Sequence, residues 1–305
     1  MAAAPPTDAE LFARDGFLLC PDVVVPPHIL SAAIDGMAAL RQGTDDEGEP
    51  LQPQEAGIIN TATGAGDATT LCKLELPQLG SRSIRALVSL ESIGERVAAA
   101  TGADWVQCWW TQLLNKPPSG GRAGGTNIGY HQDRNYWQNS WEEGSELLTA
   151  WVALSDVASD CGPMKFVRGS NRWGLLEDVG FFHEAGDEGT LTLEQQIERC
   201  VAAAGGGAAW EEVDAVFPAG VMSLHDNYTL HGSGPNYSTA DRRSLAIHVR
   251  TNRSTPKGDG GLTAFLRDTS VNPVIFGKEA FAIQHGHGVY AGPVSVTPVV
   301  GAAKL

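Results

Sequence analysis

Apolar positions in the first hundred residues recur at helical spacing, and beyond them the pattern changes to that of strands. Ile29, Leu30, Ala33, Met37 and Leu40 follow Pro26-Pro27 at intervals that predict an amphipathic helix. Ile84, Leu87, Val88, Leu90, Ile93, Val97 and Ala98 repeat the helical pattern between Ser81 and Thr101. Ahead of both, Thr7-Asp-Ala-Glu10 has the form of a capping box, opening a short helix that Gly16 ends before a brief strand at Phe17-Leu-Leu-Cys20. From Trp105 the runs are denser and shorter: Trp105 to Asn115, Leu147 to Val157, Met164 to Val167, Val221 to His225 and Ser244 to Thr251, separated by Gly and Pro breakers. Helices followed by many short strands predict an α+β, mainly β chain. Its core is expected to be a double-stranded β-helix (jelly roll, cupin-like) over residues 105–255, with the N-terminal helices packed on one sheet.

No repeat or linker interrupts the pattern, so residues 1–305 are expected to form a single domain. Within segment 180–215, Thr192-Leu-Glu-Gln195 is a second capping-box pattern, but no strand partner for the segment is evident. It reads equally as a lid or as surface decoration. The acidic, Gly- and Pro-rich stretch 43–55 reads as a solvated loop.

Composition narrows the function. A formal charge of −15 argues against a nucleic-acid or anionic-membrane partner, while leaving room for a small-molecule substrate held by one or two local cations. Five scattered cysteines without a Cys-x-x-Cys pair point away from a disulfide framework or a structural zinc site. No positively charged segment leads into an apolar one, and no run is long enough to span a bilayer, so a cytoplasmic protein is expected. Oligomeric state is left open.

The chemistry enters at Tyr130-His131-Gln132-Asp133. On a strand His131 and Asp133 share a face, and His231 from a distant strand could complete a 2-His-1-carboxylate set of the kind used by non-haem iron(II) oxygenases. The His-x-Asp spacing alone is common, so further residues must support it. Arg242 follows His231 by eleven positions. Leu245, Ile247 and Val249 on its strand read as core against the helices, which turns Arg242, Ser244 and Ala246 into the barrel. A guanidinium there is suited to gripping a carboxylate, a surface ion pair being the alternative. Gln112 is expected on one strand face with Trp110 and Cys108, where an amide needs a partner; a satisfied core amide is the plainer reading.

These motifs, taken together, resemble the phytanoyl-CoA dioxygenase family. His131-Gln-Asp133 is similar to its metal-binding pair, and His231-Gly-Ser-Gly-Pro-Asn236 with Arg242 to its distal His and co-substrate Arg. Leu113-Leu-Asn-Lys-Pro-Pro118, Trp151-Val-Ala-Leu154 and Cys161-Gly-Pro-Met-Lys-Phe-Val-Arg-Gly-Ser170 occupy the intervening blocks in order, with Arg168 and Asn171 departing from the usual Pro and His. The resemblance runs from Asp15-Gly16-Phe17 to about Arg250.

It implies an Fe(II)- and 2-oxoglutarate-dependent dioxygenase. His131, Asp133 and His231 would ligate Fe(II). Arg242 and Ser233 would bind the far carboxylate of 2-oxoglutarate, with Gln112, Trp151 and Lys73 as further co-substrate contacts. O2 would be the oxidant and succinate and CO2 the products. Related halogenases replace the carboxylate by Ala or Gly, so Asp133 favours hydroxylation of an unactivated C–H, with desaturation, epimerisation or ring formation open to the same cofactors. Asn135, Tyr136, Trp137, Arg122, His225, Asn227 and His248 are candidate substrate contacts, although the three with matching strand parity, His225, Asn227 and His248, read more readily as satisfied polar residues. Two other classes stay in view: a cupin-like metal enzyme without a co-substrate, and a binding module with a vestigial site.

Overall fold

The computed structural model describes residues 4–59, 71–120, 127–177, 179–180, 191–205 and 207–286. The strands are β1 (Phe17–Cys20), β2 (Cys72–Glu75), β3 (Val106–Lys116), β4 (Ile128–His131), β5 (Leu147–Ala153), β6 (Met164–Val167), β7 (Glu212–Asp214), β8 (Met222–Asp226), β9 (His231–Ser233), β10 (Arg242–Thr251) and β11 (Val274–Phe276). The α-helices are α1 (Asp8–Asp15), α2 (Pro27–Arg41), α3 (Pro53–Ile59), α4 (Arg82–Val88), α5 (Glu91–Thr101), α6 (Arg134–Trp137), α7 (Leu193–Ala204) and α8 (Lys278–His285).

The capping box at α1 is complete, with the Thr7 hydroxyl accepting from the Glu10 backbone N–H and the Glu10 carboxylate accepting from that of Thr7. Gly16 ends the helix at φ 81°, and a Cβ there would meet the Thr229 and Asn171 side chains at 2.5–2.7 Å. Helical periodicity over Ser81 to Thr101 divides into α4 and α5, because Leu90 is extended (φ −66°, ψ 122°). The apolar spacing survives the break since both helices pack on one sheet.

That sheet has the order β1-β8-β5-β10-β3-β11, with β2 also pairing with β3, and it faces a smaller sheet ordered β4-β9-β6-β7. Leu113, Leu148, Ala150, Val152, Leu245, Ile247 and Val249 point to the helical side, where Ala33, Met37, Leu40, Leu87 and Val97 meet them. Leu114, Trp151, Ala153 and Ala246 point the other way and fill the space between sheets with Phe166. A strand covered on both faces is apolar at nearly every position, which accounts for the sequence of β5.

The pairing of β10 with β3 shifts between His248 and Val249, so that their partners are Trp110 and Cys108 and Trp109 is the extra residue. This bulge corrects one expectation. Cys108 joins the helix-facing core, whereas Trp110 and Gln112 remain on the opposite face. A strand partner also exists for segment 180–215: β7 pairs with β6. The preceding α7 covers the small sheet, with Gln196 accepting from the Tyr130 backbone N–H at 3.0 Å and Cys200 packed beside Tyr130 and Leu230. No helix among the described residues is long and apolar enough to cross a membrane.

Candidate metal and co-substrate site

Strand β4 ends at His131, and Asp133 follows with helical backbone angles (φ −57°, ψ −33°) at the start of α6. The two side chains therefore converge because the chain turns from strand into helix, not because they alternate along one strand. His231 opens β9 and is in register with His131. Each imidazole is oriented by its own backbone: Nδ1 of His131 lies 2.8 Å from the Gly129 carbonyl, and Nδ1 of His231 lies 2.9 Å from that of Thr229. A carbonyl only accepts, so Nδ1 carries the proton in both rings and Nε2 presents its lone pair inward. Both Nε2 atoms lie 3.7 Å from Asp133 Oδ1. Three buried acceptors thus face one point, their ligand atoms all within 4.8 Å of one another. Lone pairs crowded this way without a donor between them suit a cation.

Burial lowers the pKa of His131 to about 4 and that of His231 well below its ordinary value, so both rings are neutral. Burial opposes ionisation of Asp133 as well, but the attraction between its carboxylate and any positive charge on the His231, His225 and His248 rings outweighs it and holds the carboxyl well below the carboxylate range. Two neutral imidazoles and one carboxylate are the donor set of a facial iron(II) site.

The second oxygen of Asp133 is also held. The Thr149 hydroxyl donates to Oδ2 at 2.9 Å and lies 2.8 Å from Nδ1 of His248. With its hydrogen committed to the carboxylate, Thr149 accepts from His248, whose ring is wedged between Trp109 and Trp137. His225 places Nε2 3.4 Å from the same Oδ2, its ring 4.3 Å from that of His231. Neither nitrogen of His225, nor Nδ2 of Asn227, has a hydrogen-bond partner among the described residues.

The residues expected to bind a co-substrate line the barrel beside this cluster. Arg242 is 1% exposed, its Nη1 donating to the Gly162 carbonyl at 2.7 Å, while Nε and Nη2 are buried without partners among the described residues. Its guanidinium lies 5.2 Å from the Trp151 ring centre. Such a group is incomplete as it stands, and a carboxylate would complete it. The Ser233 hydroxyl accepts from Lys116 at 2.6 Å. Lys73 lies 3.2 Å from Glu75, which also accepts from Trp110 Nε1 at 2.6 Å and from Gln112 Nε2 at 3.2 Å.

Glu75 and Thr149 lie outside the motifs, and Lys116 stands in one of them without a role assigned there. Strand parity contained Glu75 and Lys116: Glu75 repeats the face of Lys73, and Lys116 continues Gln112 and Leu114. Thr149 gave no signal, because only the folded chain brings it to Asp133.

Among the candidate substrate contacts, Tyr136 lies 5.9 Å from the His131 ring. Trp137 packs against Trp109 and His248, and the Asn135 amide donates to the Val179 carbonyl. Arg122 lies outside the described residues. Arg168 and Asn171, the two departures from the family pattern, both meet the α1 end: Arg168 pairs with Asp15 and Glu211, and Asn171 packs against Gly16.

The fold and the donor set define a double-stranded β-helix carrying a 2-His-1-carboxylate site. The phytanoyl-CoA dioxygenase (PhyH) model matches residues 12–244, and the chain belongs to that family. A curated relative, the probable alpha-ketoglutarate-dependent hypophosphite dioxygenase of Stutzerimonas stutzeri, is 27% identical over 192 residues, 60% of this chain and 58% of the relative. The match thus spans less than two thirds of that relative's length. Among solved structures, the epimerase SnoN in complex with Fe3+, alpha ketoglutarate and nogalamycin RO superposes with a TM-score of 0.57 at 23% identity, covering 85% of this chain and 88% of SnoN. EctD from S. alaskensis with bound Fe gives 0.55 at 15% identity, covering 80% and 75%. At these identities the likeness is one of fold.

Proposed function

We propose that this protein is an Fe(II)- and 2-oxoglutarate-dependent dioxygenase that hydroxylates an unactivated C–H of a small-molecule metabolite, releasing succinate and CO2. The observation that carries the reading is Arg242, a fully buried guanidinium two of whose nitrogens have no partner among the described residues, on a barrel that also holds the His131, Asp133 and His231 cluster. A metal protein without a carboxylate co-substrate has no use for that cation, and a vestigial module would not keep both sites complete. His131, Asp133 and His231 would hold iron(II), which would supply the O2-activating chemistry that couples 2-oxoglutarate decarboxylation to substrate oxidation.

The chain's own contribution is positioning. Backbone carbonyls fix the His131 and His231 tautomers, Thr149 orients Asp133, and Arg242 with Ser233 receives the far carboxylate of the co-substrate. Trp151 walls that subsite, and Lys73 and Gln112, both held by Glu75 on β2, are taken as further co-substrate contacts. Asp133 occupies a coordination position that a halide would need, which favours hydroxyl transfer. Desaturation, epimerisation or ring formation would use the same groups. His225, Asn227, His248, Tyr136 and Trp137 are taken as the aromatic and polar walls of the substrate region, suited to a small uncharged or modestly polar molecule. We take residues 1–305 as one oxygenase domain. Five buried free thiols support placement in the reducing cytoplasm.

The test is purified protein with Fe(II), ascorbate and 2-oxoglutarate, followed for succinate with candidate substrates. Asp133→Ala and Arg242→Ala are each expected to abolish turnover. Near-normal kinetics in either variant would remove the assignment.

A further inference from the structure

Lys116 and Arg242 are registered directly opposite each other on β3 and β10, and both are buried, at 0% and 1% exposure. Like charges facing one another across a strand pair destabilise a sheet, and each carries a desolvation cost. Neither forms an ion pair with a carboxylate among the described residues. Burial and then Arg242 push the Lys116 ammonium well below its ordinary value, and burial brings Arg242 down to about 10. An anion beside the pair would relieve the repulsion and keep both side chains charged. The hydrogen bonds indicate where it would sit. Lys116 Nζ donates to the Gly234 carbonyl at 2.7 Å and to Ser233 Oγ at 2.6 Å. By occupying a lone pair of Ser233, it leaves that hydroxyl hydrogen to be given elsewhere.

We propose that Lys116 is a second cation of the co-substrate subsite, presetting Ser233 as a donor and adding charge beside Arg242, so that the site selects a 2-oxo acid with a distal carboxylate. This rests on the 2-oxoglutarate reading above. Lys116 does not bind the reacting end of the co-substrate; it positions Ser233 and tunes specificity for the far end.

The experiment is calorimetric titration of Mn(II)-loaded protein with 2-oxoglutarate and with 2-oxovalerate, in which a methyl replaces the distal carboxylate. Lys116→Met is expected to weaken 2-oxoglutarate binding by at least about 30-fold, the low end for truncating one member of a buried charge pair. Its affinity for 2-oxovalerate should stay close to wild type. Lys116→Gln keeps a donor without the charge and should fall between; if Lys116→Met does not fold, Lys116→Gln alone decides by the same comparison. A folded variant that binds 2-oxoglutarate like wild type, or loses both ligands equally, overturns the proposal, the second result marking a purely structural tie. If wild type takes up Mn(II) but not 2-oxoglutarate, the oxygenase reading itself fails.

Discussion

Thr149→Val isolates the support of the metal ligand from the ligand itself. The residue is 2% exposed, and its hydroxyl is the donor to Asp133 Oδ2 at 2.9 Å. Valine keeps the shape, so no cavity opens, while a buried carboxylate oxygen and His248 Nδ1 lose their shared partner. A hydrogen bond to a charged group contributes about 1.5–3 kcal/mol, and outer partners of metal ligands are worth about 10–100-fold in affinity, which is the same range. Fe(II) affinity of Thr149→Val, measured by anaerobic competition against a chelator, is therefore expected to drop about 10–100-fold. Thr149→Ser should restore most of it, because the hydroxyl returns. Metal-free Thr149→Val should also unfold at lower temperature than wild type. Iron binding indistinguishable from wild type in a folded Thr149→Val would refute the reasoning, since Asp133 would then need no external orientation.

Further outcomes follow from the same geometry. His131 and His248, lowered to about 4, and His231, lowered well below its ordinary value, take up protons more readily when unfolded. Their contribution to stability is therefore present above about pH 6.5 and lost as pH falls toward 4. Asp226, raised by burial to about 6, acts oppositely, its contribution being lost as pH rises through 6. Three histidines outweigh one carboxyl, so metal-free protein should melt lower at pH 4.5 than at pH 7, and a flat or rising profile would contradict this; Asp226→Asn should be stabilised at pH 7 and unchanged near pH 3. Glu75→Ala leaves Lys73 buried without its carboxylate and is expected to cost about 3–5 kcal/mol, much of it recovered in Lys73→Met/Glu75→Leu. Denaturant melts showing additive losses would exclude the coupling. Gly162 has φ +69°, and a Cβ there would lie 2.5 Å from the Gly234 carbonyl, so Gly162→Ala displaces the oxygen that holds Arg242. Its 2-oxoglutarate affinity should fall with metal affinity retained; parallel loss of both would point to general disruption.

Much of this site was legible before folding because its parts lie in short, patterned stretches. The face of Arg242 followed from Leu245, Ile247 and Val249, which needed the helices on the opposite side. His131 and His231 were found by type and spacing, but the reason given for Asp133 was wrong in geometry: a turn, not strand alternation, brings it in. The Trp109 bulge was invisible because inserting one residue into a ladder leaves no compositional trace, and it moved Cys108 to the other core. β7 escaped notice since three residues of mixed polarity carry no period. Thr149 meets Asp133 from sixteen positions away and Glu75 receives Trp110 from thirty-five, contacts that no local pattern announces.

The central claim is that one chain holds a set of three metal ligands and, separately, a buried guanidinium suited to a carboxylate. Sequential anaerobic titration of Fe(II) and then 2-oxoglutarate into wild type and Arg242→Ala tests it most directly. Wild type should bind one equivalent of each, and Arg242→Ala should keep its iron affinity while losing about 2–5 kcal/mol of 2-oxoglutarate binding. Iron binding with no 2-oxoglutarate binding in wild type, or equal 2-oxoglutarate affinity in both proteins, would contradict it.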